Sequence, residues 1–219
     1  MLTRPLVVLV TPPDHLSPEL ESYARGIISP KDRRKFGKWE ERTISYFAGR
    51  AALRRGLEEL KVKGLVAPDP EYGYLKLETD PPLFGNISHT GGLVAAVIAK
   101  QPVGIDVEFR TRDASRVLRR VATFKERNEW DSPISLWSAK EAFSKAFGLG
   151  IRFGLQGFEV QYAPQPPWKG TTALKGPLHV SDPLVWQQRE QQFLVSVVTE
   201  AEALKAGIDL LRWSDPPFT

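Results

Sequence analysis

Gly104-Ile105-Asp106-Val107-Glu108 and, further along, Trp137-Ser138-Ala139-Lys140-Glu141-Ala142-Phe143-Ser144-Lys145 are the two stretches from which the rest of the chain is read. The first alternates: Ile105 and Val107 share one side, Asp106 and Glu108 the other, which predicts a strand with both carboxylates on one face. At that spacing their Cα atoms stand roughly 6 to 7 Å apart, within reach of one ion. In the second stretch and its flanks, Leu136, Ala139, Ala142, Phe143, Ala146 and Phe147 recur at helical spacing, while Glu141 and Lys145 project from the other side. Ser132-Pro133 supplies an N-cap and a first helical residue, and Gly148 a stop. The polar face of this helix is then available for chemistry.

Two adjacent acids repel unless a cation neutralises them. With no cysteine and three histidines, carboxylate oxygens favour Mg²⁺ over Zn²⁺. For Asp106 and Glu108 alone the competing reading is an exposed strand end. Glu141 is a candidate third oxygen ligand; its alternative is an ordinary ion pair with Lys145, worth ~0.3 to 0.5 kcal/mol. Lysines beside a magnesium-bound diphosphate would stabilise transferring phosphoryl oxygens. His89, with Ser88 and Thr90 alongside, suits a phosphate, or else Asn86 and Ser88 serve turn chemistry. Thr123-Phe124-Lys125-Glu126 has the pattern of a capping box, so Glu126 is read equally as helix cap or general base.

Outward from these stretches, Leu6 to Val10 predicts a strand, and Ser17-Pro18 and Ser29-Pro30 predict helix starts in a mostly helical N-terminal part. Ile44, Phe47, Ala48, Ala51, Leu53, Leu57 and Leu60 predict a helix from about Trp39 to Lys63, closed by Gly64. Residues 64 to 85 read as loop around a short strand, Tyr74 to Leu77, and Asn86 to Gly92 as a turn before the strand Leu93 to Ala99. A basic helix at about Ala114 to Val121 groups Arg116, Arg119 and Arg120. Phe158 to Tyr162, Leu184 to Gln187 and Phe193 to Thr199 predict strands, the first two separated by a Pro/Gly-rich loop. Gly92 to Ala99 loosely resembles Gln192 to Thr199, a sign of duplication without a strict repeat. The tail beyond Glu200 carries no clear signal.

At 219 residues the chain is long enough for one large domain or two small intimate ones, and 42% hydrophobic residues suffice for a core. Absence of cysteine removes disulfides, thiolate metal sites and a catalytic thiol. The longest apolar run, Leu93 to Ala99, is far short of the ~20 residues of a membrane span. Leu6 to Val10 is too short for a signal-peptide core of ~7 to 15 residues, so a cytoplasmic location is expected. A net charge of +4 favours a polyanionic partner without naming it. P-loop, HExxH and GxSxG motifs are missing, and Gly148-Leu149-Gly150 lacks the third glycine of a dinucleotide loop. The strands are plainly aliphatic rather than interleaved with aromatic and basic residues, which argues against nucleic acid.

In this order, the two quoted stretches resemble the 4′-phosphopantetheinyl transferases. Asn86-Ile87-Ser88-His89-Thr90, Phe47-Ala48-Gly49-Arg50 and the chain length match the monomeric, two-half Sfp-type class, over roughly residues 29 to 162. The resemblance implies an α+β fold, a pseudo-dimer of two similar halves, divided here as residues 1–102 and 103–219, with the metal site in the second. It implies transfer of phosphopantetheine from coenzyme A to a serine of an acidic apo acyl or peptidyl carrier protein, releasing adenosine 3′,5′-bisphosphate. Asp106, Glu108 and Glu141 would hold Mg²⁺. Arg50, Ser88, His89, Thr90 and Lys140 would serve coenzyme A, and Lys145 the phosphate in transfer. Glu126 would deprotonate the serine, with Glu129 a rival alignment. A monomer is expected, with neither nucleic acid nor membrane as partner. The family's usual Gly-Lys-Pro is replaced by Gly73-Tyr74-Leu75, although Lys76 lies close by. The alternative is a protein of the same fold that binds coenzyme A or a carrier without transfer.

The cationic stripe Arg112, Arg116, Arg119 and Arg120 is expected to face the acidic carrier. Alanine replacements should weaken carrier binding, and added salt should do the same, because exposed charges are screened over ~8 Å at physiological ionic strength. Calorimetry that finds unchanged binding in all four variants contradicts this.

Overall fold

The apolar runs Leu93–Ala99 and Phe193–Glu200 become central strands of two sheets, and each sheet carries a helix on its outer face. The structure is a computed structural model describing residues 2–30, 40–69, 74–149, 155–172, 174 and 176–214. The elements of the first half are β1 (Leu6–Val10), α1 (Pro18–Arg25), α2 (Glu40–Glu59), β2 (Gly64–Pro68), β3 (Leu75–Thr79), β4 (Leu83–Thr90) and β5 (Leu93–Ala99). There follow β6 (Gly104–Phe109), α3 (Ser115–Val121), α4 (Phe124–Glu129), α5 (Pro133–Ala146) and a 3-10 turn at Leu155–Gly157. The chain continues with β7 (Phe158–Val160), β8 (Trp168–Thr172), β9 (Pro183–Glu190), β10 (Phe193–Glu200), α6 (Ala201–Lys205) and β11 (Asp209–Trp213).

One sheet has the order β11-β1-β5-β4-β3-β2, the other β6-β10-β9-β8-β7. The period of two along each strand decides which core each side chain joins. Val94, Ala96 and Ile98 of β5 pack with Phe47, Ala48 and Ala51 of α2. Leu194 and Val198 of β10 pack with Leu136, Ala139, Ala142 and Phe143 of α5. The opposite faces meet in a shared core of Val7, Leu9, Ala95, Val97, Ile105, Val107, Val195 and Val197. The layers therefore run α2, first sheet, second sheet, α5. This is an α+β architecture of two sheet-and-helix halves.

Local signals place the helix ends. Ser17 accepts from Leu20 N at 3.1 Å, Ser132 from Ser135 N at 3.4 Å, and Gly148 leaves α5 with φ 70°. α2 ends earlier than its spacing predicts, because Lys61 takes the left-handed conformation (φ 56°), and Gly64 opens β2 instead of closing the helix. Trp39 and whatever follows Ser29-Pro30 up to residue 39 lie outside the described residues, as do Gly73 and Gly150. The segment Asn86–Thr90 is strand, not turn: it pairs with β5 from Asn86↔Val97 to Thr90↔Leu93, and the reversal narrows to Gly91-Gly92. β8 lies within the stretch that read as loop, and β11 pairs parallel with β1 from Leu6↔Asp209 to Val10↔Trp213. A division at residue 102 thus falls between strands of different sheets, while β11 crosses back to the first. Among the described residues no helix is long and apolar enough to cross a membrane.

The contact that sets the second half is between β6 and α5. A Cβ on Gly104 would stand 1.9 Å from Ala142 O and 2.5 Å from Ala146 N, so helix backbone rests directly on strand backbone. α5 is consequently buried nearly all round, including Lys140, Glu141 and Ser144, and has no solvated polar face. Gly104→Ala must push backbone apart, an overpacking expected to cost about 3 kcal/mol or more. Urea unfolding should show a lower midpoint, and an unchanged midpoint would contradict this contact.

Candidate active site where the sheets meet

β6 is the edge strand of the second sheet, and its open edge faces β4 of the first. Edge polar groups need partners. Here side chains supply them: Val107 N donates to Ser88 Oγ at 3.2 Å, and Lys145 Nζ donates to Ile105 O at 2.9 Å. The same two side chains converge on Asp106. Its Oδ1 accepts from Ser88 Oγ and from Lys145 Nζ, both at 3.0 Å. Asp106 Oδ2, also buried, has no hydrogen-bond partner among the described residues.

Glu108, two residues on, is held differently. Its Oε1 accepts from Trp137 Nε1 of α5 at 2.8 Å and from Arg112. Glu141 comes from α5 and is 7% exposed. Its carboxyl is pushed up to about 7, first by burial, with Asp106 and Glu108 adding to the rise and Lys145 and Arg112 opposing it. A buried acid that feels two neighbouring carboxylates is the electrostatic signature of a site short of positive charge. Among the described residues no group of three or more His, Asp or Glu side chains is gathered at metal-binding range. The carboxylates are nevertheless neighbours, Asp106 offers an unpartnered oxygen, and the donor set is all oxygen. These are the properties a hard divalent cation requires.

The cofactor candidates separate. Ser88 has its hydroxyl committed to Asp106, Val107 and Lys145, so it orders the site and has nothing left for a phosphate. His89 is exposed beside it, and its imidazole is held below its ordinary value by desolvation and then by the Lys145 cation, against the opposing charges of Glu41 and Asp106. Thr90 closes β4, half-buried. Arg50 is buried on α2, its guanidinium 3.7 Å from the centre of the Tyr46 ring. Lys76 pairs with Asp69 at 3.1 Å.

Glu126 and Lys140 are not where a proton acceptor and a phosphate ligand are expected. Glu126 is 1% exposed and Lys140 0%, and they pair with each other at 2.9 Å. Thr123 and Glu126 form the full capping box: Glu126 N donates to Thr123 Oγ1, and Thr123 N to Glu126 Oε2. The cap reading of Glu126 is the one the geometry realises, and burial excludes an incoming hydroxyl from it. Glu129, the rival, is exposed at the end of α4. Of the basic stripe, Arg116, Arg119 and Arg120 are exposed, while Arg112 is engaged with Glu108. Lys145 was legible as a candidate from its motif; its bond to the β6 edge depends on contacts 40 residues apart in sequence.

Ser88→Ala removes the acceptor for Val107 N and a donor to Asp106. Leaving a buried donor unmet costs about 1 to 3 kcal/mol, so denaturant unfolding should lose that much. No loss would show that this hydroxyl does not close the edge.

Residues 102–198 match the family model described as the 4′-phosphopantetheinyl transferase superfamily. The chain is 28% identical over 142 residues to 4′-phosphopantetheinyl transferase psf-1 of Bacillus pumilus, covering 60% of this chain and 59% of that protein. It is 32% identical over 100 residues to 4′-phosphopantetheinyl transferase Sfp of Bacillus subtilis (strain 168), covering 42% and 45%. Against enterobactin synthase component D of Escherichia coli O157:H7 it is 28% identical over 131 residues, covering 55% and 62%. The chain thus spans about half the length of the curated relatives it matches. The matched segment runs from just before β6 to β10 and contains Asp106, Glu108, Glu141 and Lys145, so the site lies in the part of the chain that is similar to the 4′-phosphopantetheinyl transferase superfamily.

Proposed function

We propose that this protein transfers the 4′-phosphopantetheine arm of coenzyme A to a serine of an apo carrier protein, giving the holo carrier and adenosine 3′,5′-bisphosphate. The observation that carries the reading is the meeting of Asp106, Glu108, Glu141 and Lys145 at β6 and α5, with one Asp106 oxygen unpartnered, inside the segment that matches the family. Asp106, Glu108 and Glu141 are the residues that would hold Mg²⁺. When bound, that ion supplies charge neutralisation at the diphosphate and offsets the mutual repulsion of the three carboxylates.

The chain's own groups divide the remaining work. Lys145, with its ammonium fixed between Ser88, Ile105 O and Asp106, places a positive charge beside the phosphate to be transferred. His89, its imidazole held below its ordinary value by desolvation and then by the Lys145 cation, offers an N–H to a coenzyme A phosphate. Thr90 and Arg50 supply further donors from β4 and α2. Ser88 acts through Asp106 and Lys145, and Glu126 and Lys140 lie outside the reaction path. Exposed Arg116, Arg119 and Arg120 on α3 form the surface for an acidic carrier. A single chain acting in the cytoplasm fits this reading.

Intact-protein mass spectrometry of apo carrier proteins incubated with coenzyme A and Mg²⁺ tests it. The expected result is the gain of one phosphopantetheine arm, abolished by EDTA and by Asp106→Ala. No gain on any carrier, with coenzyme A still bound in calorimetry, would instead favour a protein that grips the cofactor without transferring its arm.

A further inference from the structure

Lys140 and Glu126 are ionisable side chains paired with each other, and neither reaches solvent. The Lys140 ammonium donates to Glu126 Oε1, to Leu155 O at 3.0 Å and to Phe158 O, which uses all three of its donors. Glu126 Oε1 also accepts from Val160 N at 3.0 Å, and Oε2 from Thr123 N at 2.8 Å. One ion pair therefore joins the first turn of α4, the segment from the 3-10 turn to β7, and the middle of α5.

Such a pair is a poor way to gain stability, because taking two charges out of water is costly and apolar residues of like volume serve as well. What it adds is direction. An apolar contact tolerates sliding, whereas an ammonium shared among three oxygens does not. In a helix each residue is turned about 100° and raised about 1.5 Å from the last, so fixing Lys140 fixes Glu141 one step on and Lys145 beyond it. The strand side of α5 is fixed as well, by the Gly104 contact and by Trp137 Nε1 on Glu108.

We propose that Glu126 and Lys140 are positioning residues, whose buried pair sets the rotation and height of α5 so that Glu141 faces Asp106 and Glu108. This rests on the proposed divalent-cation site, and it gives Glu126 a role other than proton acceptor. Supporting groups behind metal ligands characteristically change metal affinity by about 10 to 100-fold when removed.

The test is Mn²⁺ binding to the full chain without coenzyme A, followed by the electron paramagnetic resonance signal of free Mn²⁺. Glu126→Gln keeps the shape and removes the charge; the double variant Glu126→Leu with Lys140→Met removes both charges and refills the space. Thermal unfolding and near-ultraviolet circular dichroism report the fold of each. The expected result is binding weakened about tenfold or more in a variant that remains folded. Wild-type affinity in either folded variant overturns the proposal. So does Glu126→Gln that keeps Mn²⁺ affinity but loses the acidic limb of the pH–rate profile, which would make Glu126 the base. A wild-type chain that binds no Mn²⁺ removes the cation site itself, and the positioning role with it.

Discussion

Backbone contact between α5 and β6 at Gly104 is the constraint on which the site depends. Only hydrogen in place of a side chain lets Ala142 O and Ala146 N come so near the strand. Ala139, Ala142 and Ala146, all fully buried, continue the close approach along the helix. With a bulkier seam, Glu141 and Lys145 would stand a layer farther from Asp106 and Glu108. Farther across the same sheet Gly170 of β8 makes room for the ring of Phe143, a second place where the absence of a side chain lets α5 lie close to the strands.

That closeness has an electrostatic consequence. Three carboxylates are drawn into a region with little water, and the charge available to balance them is Lys145 on one side and Arg112 on the other. The balance is incomplete, as the raised Glu141 and the unpartnered Asp106 oxygen show. Lys145 simultaneously closes the edge of β6, a task shared with Ser88 from the other sheet. The first half of the chain thus completes the second: without β4, Val107 N and Asp106 Oδ1 would lose a partner. Arg212 of β11 makes a bidentate pair with Glu190 of β9, a second tie between the sheets.

Much of this was legible from local pattern. The period of two at Gly104–Glu108, the helical spacing with Ser132-Pro133 and Gly148, and the capping box at Thr123 all concern residues within a few positions of one another, and all appear in the structure. What failed was what depends on distant partners. Asn86–Thr90 has turn-forming residues yet is strand, because β5 pairs along its whole length and propensity yields to the ladder. α5 reads as amphipathic, but the close packing on β6 and the Glu126 pair cover its polar side too. Glu126 itself was half legible: its cap is local, whereas Lys140 and Val160 reach it from 14 and 34 residues away. β11 finds β1 across nearly the full chain, and no spacing announces that.

Under the proposed function, the carboxylates that β6 and α5 bring together hold a divalent cation. Anomalous diffraction from crystals grown with Mn²⁺ and coenzyme A tests it most directly. A peak bounded by the carboxylates of Asp106, Glu108 and Glu141, with Lys145 beside it, is expected. A peak elsewhere in the molecule, or none while coenzyme A is bound, would contradict it.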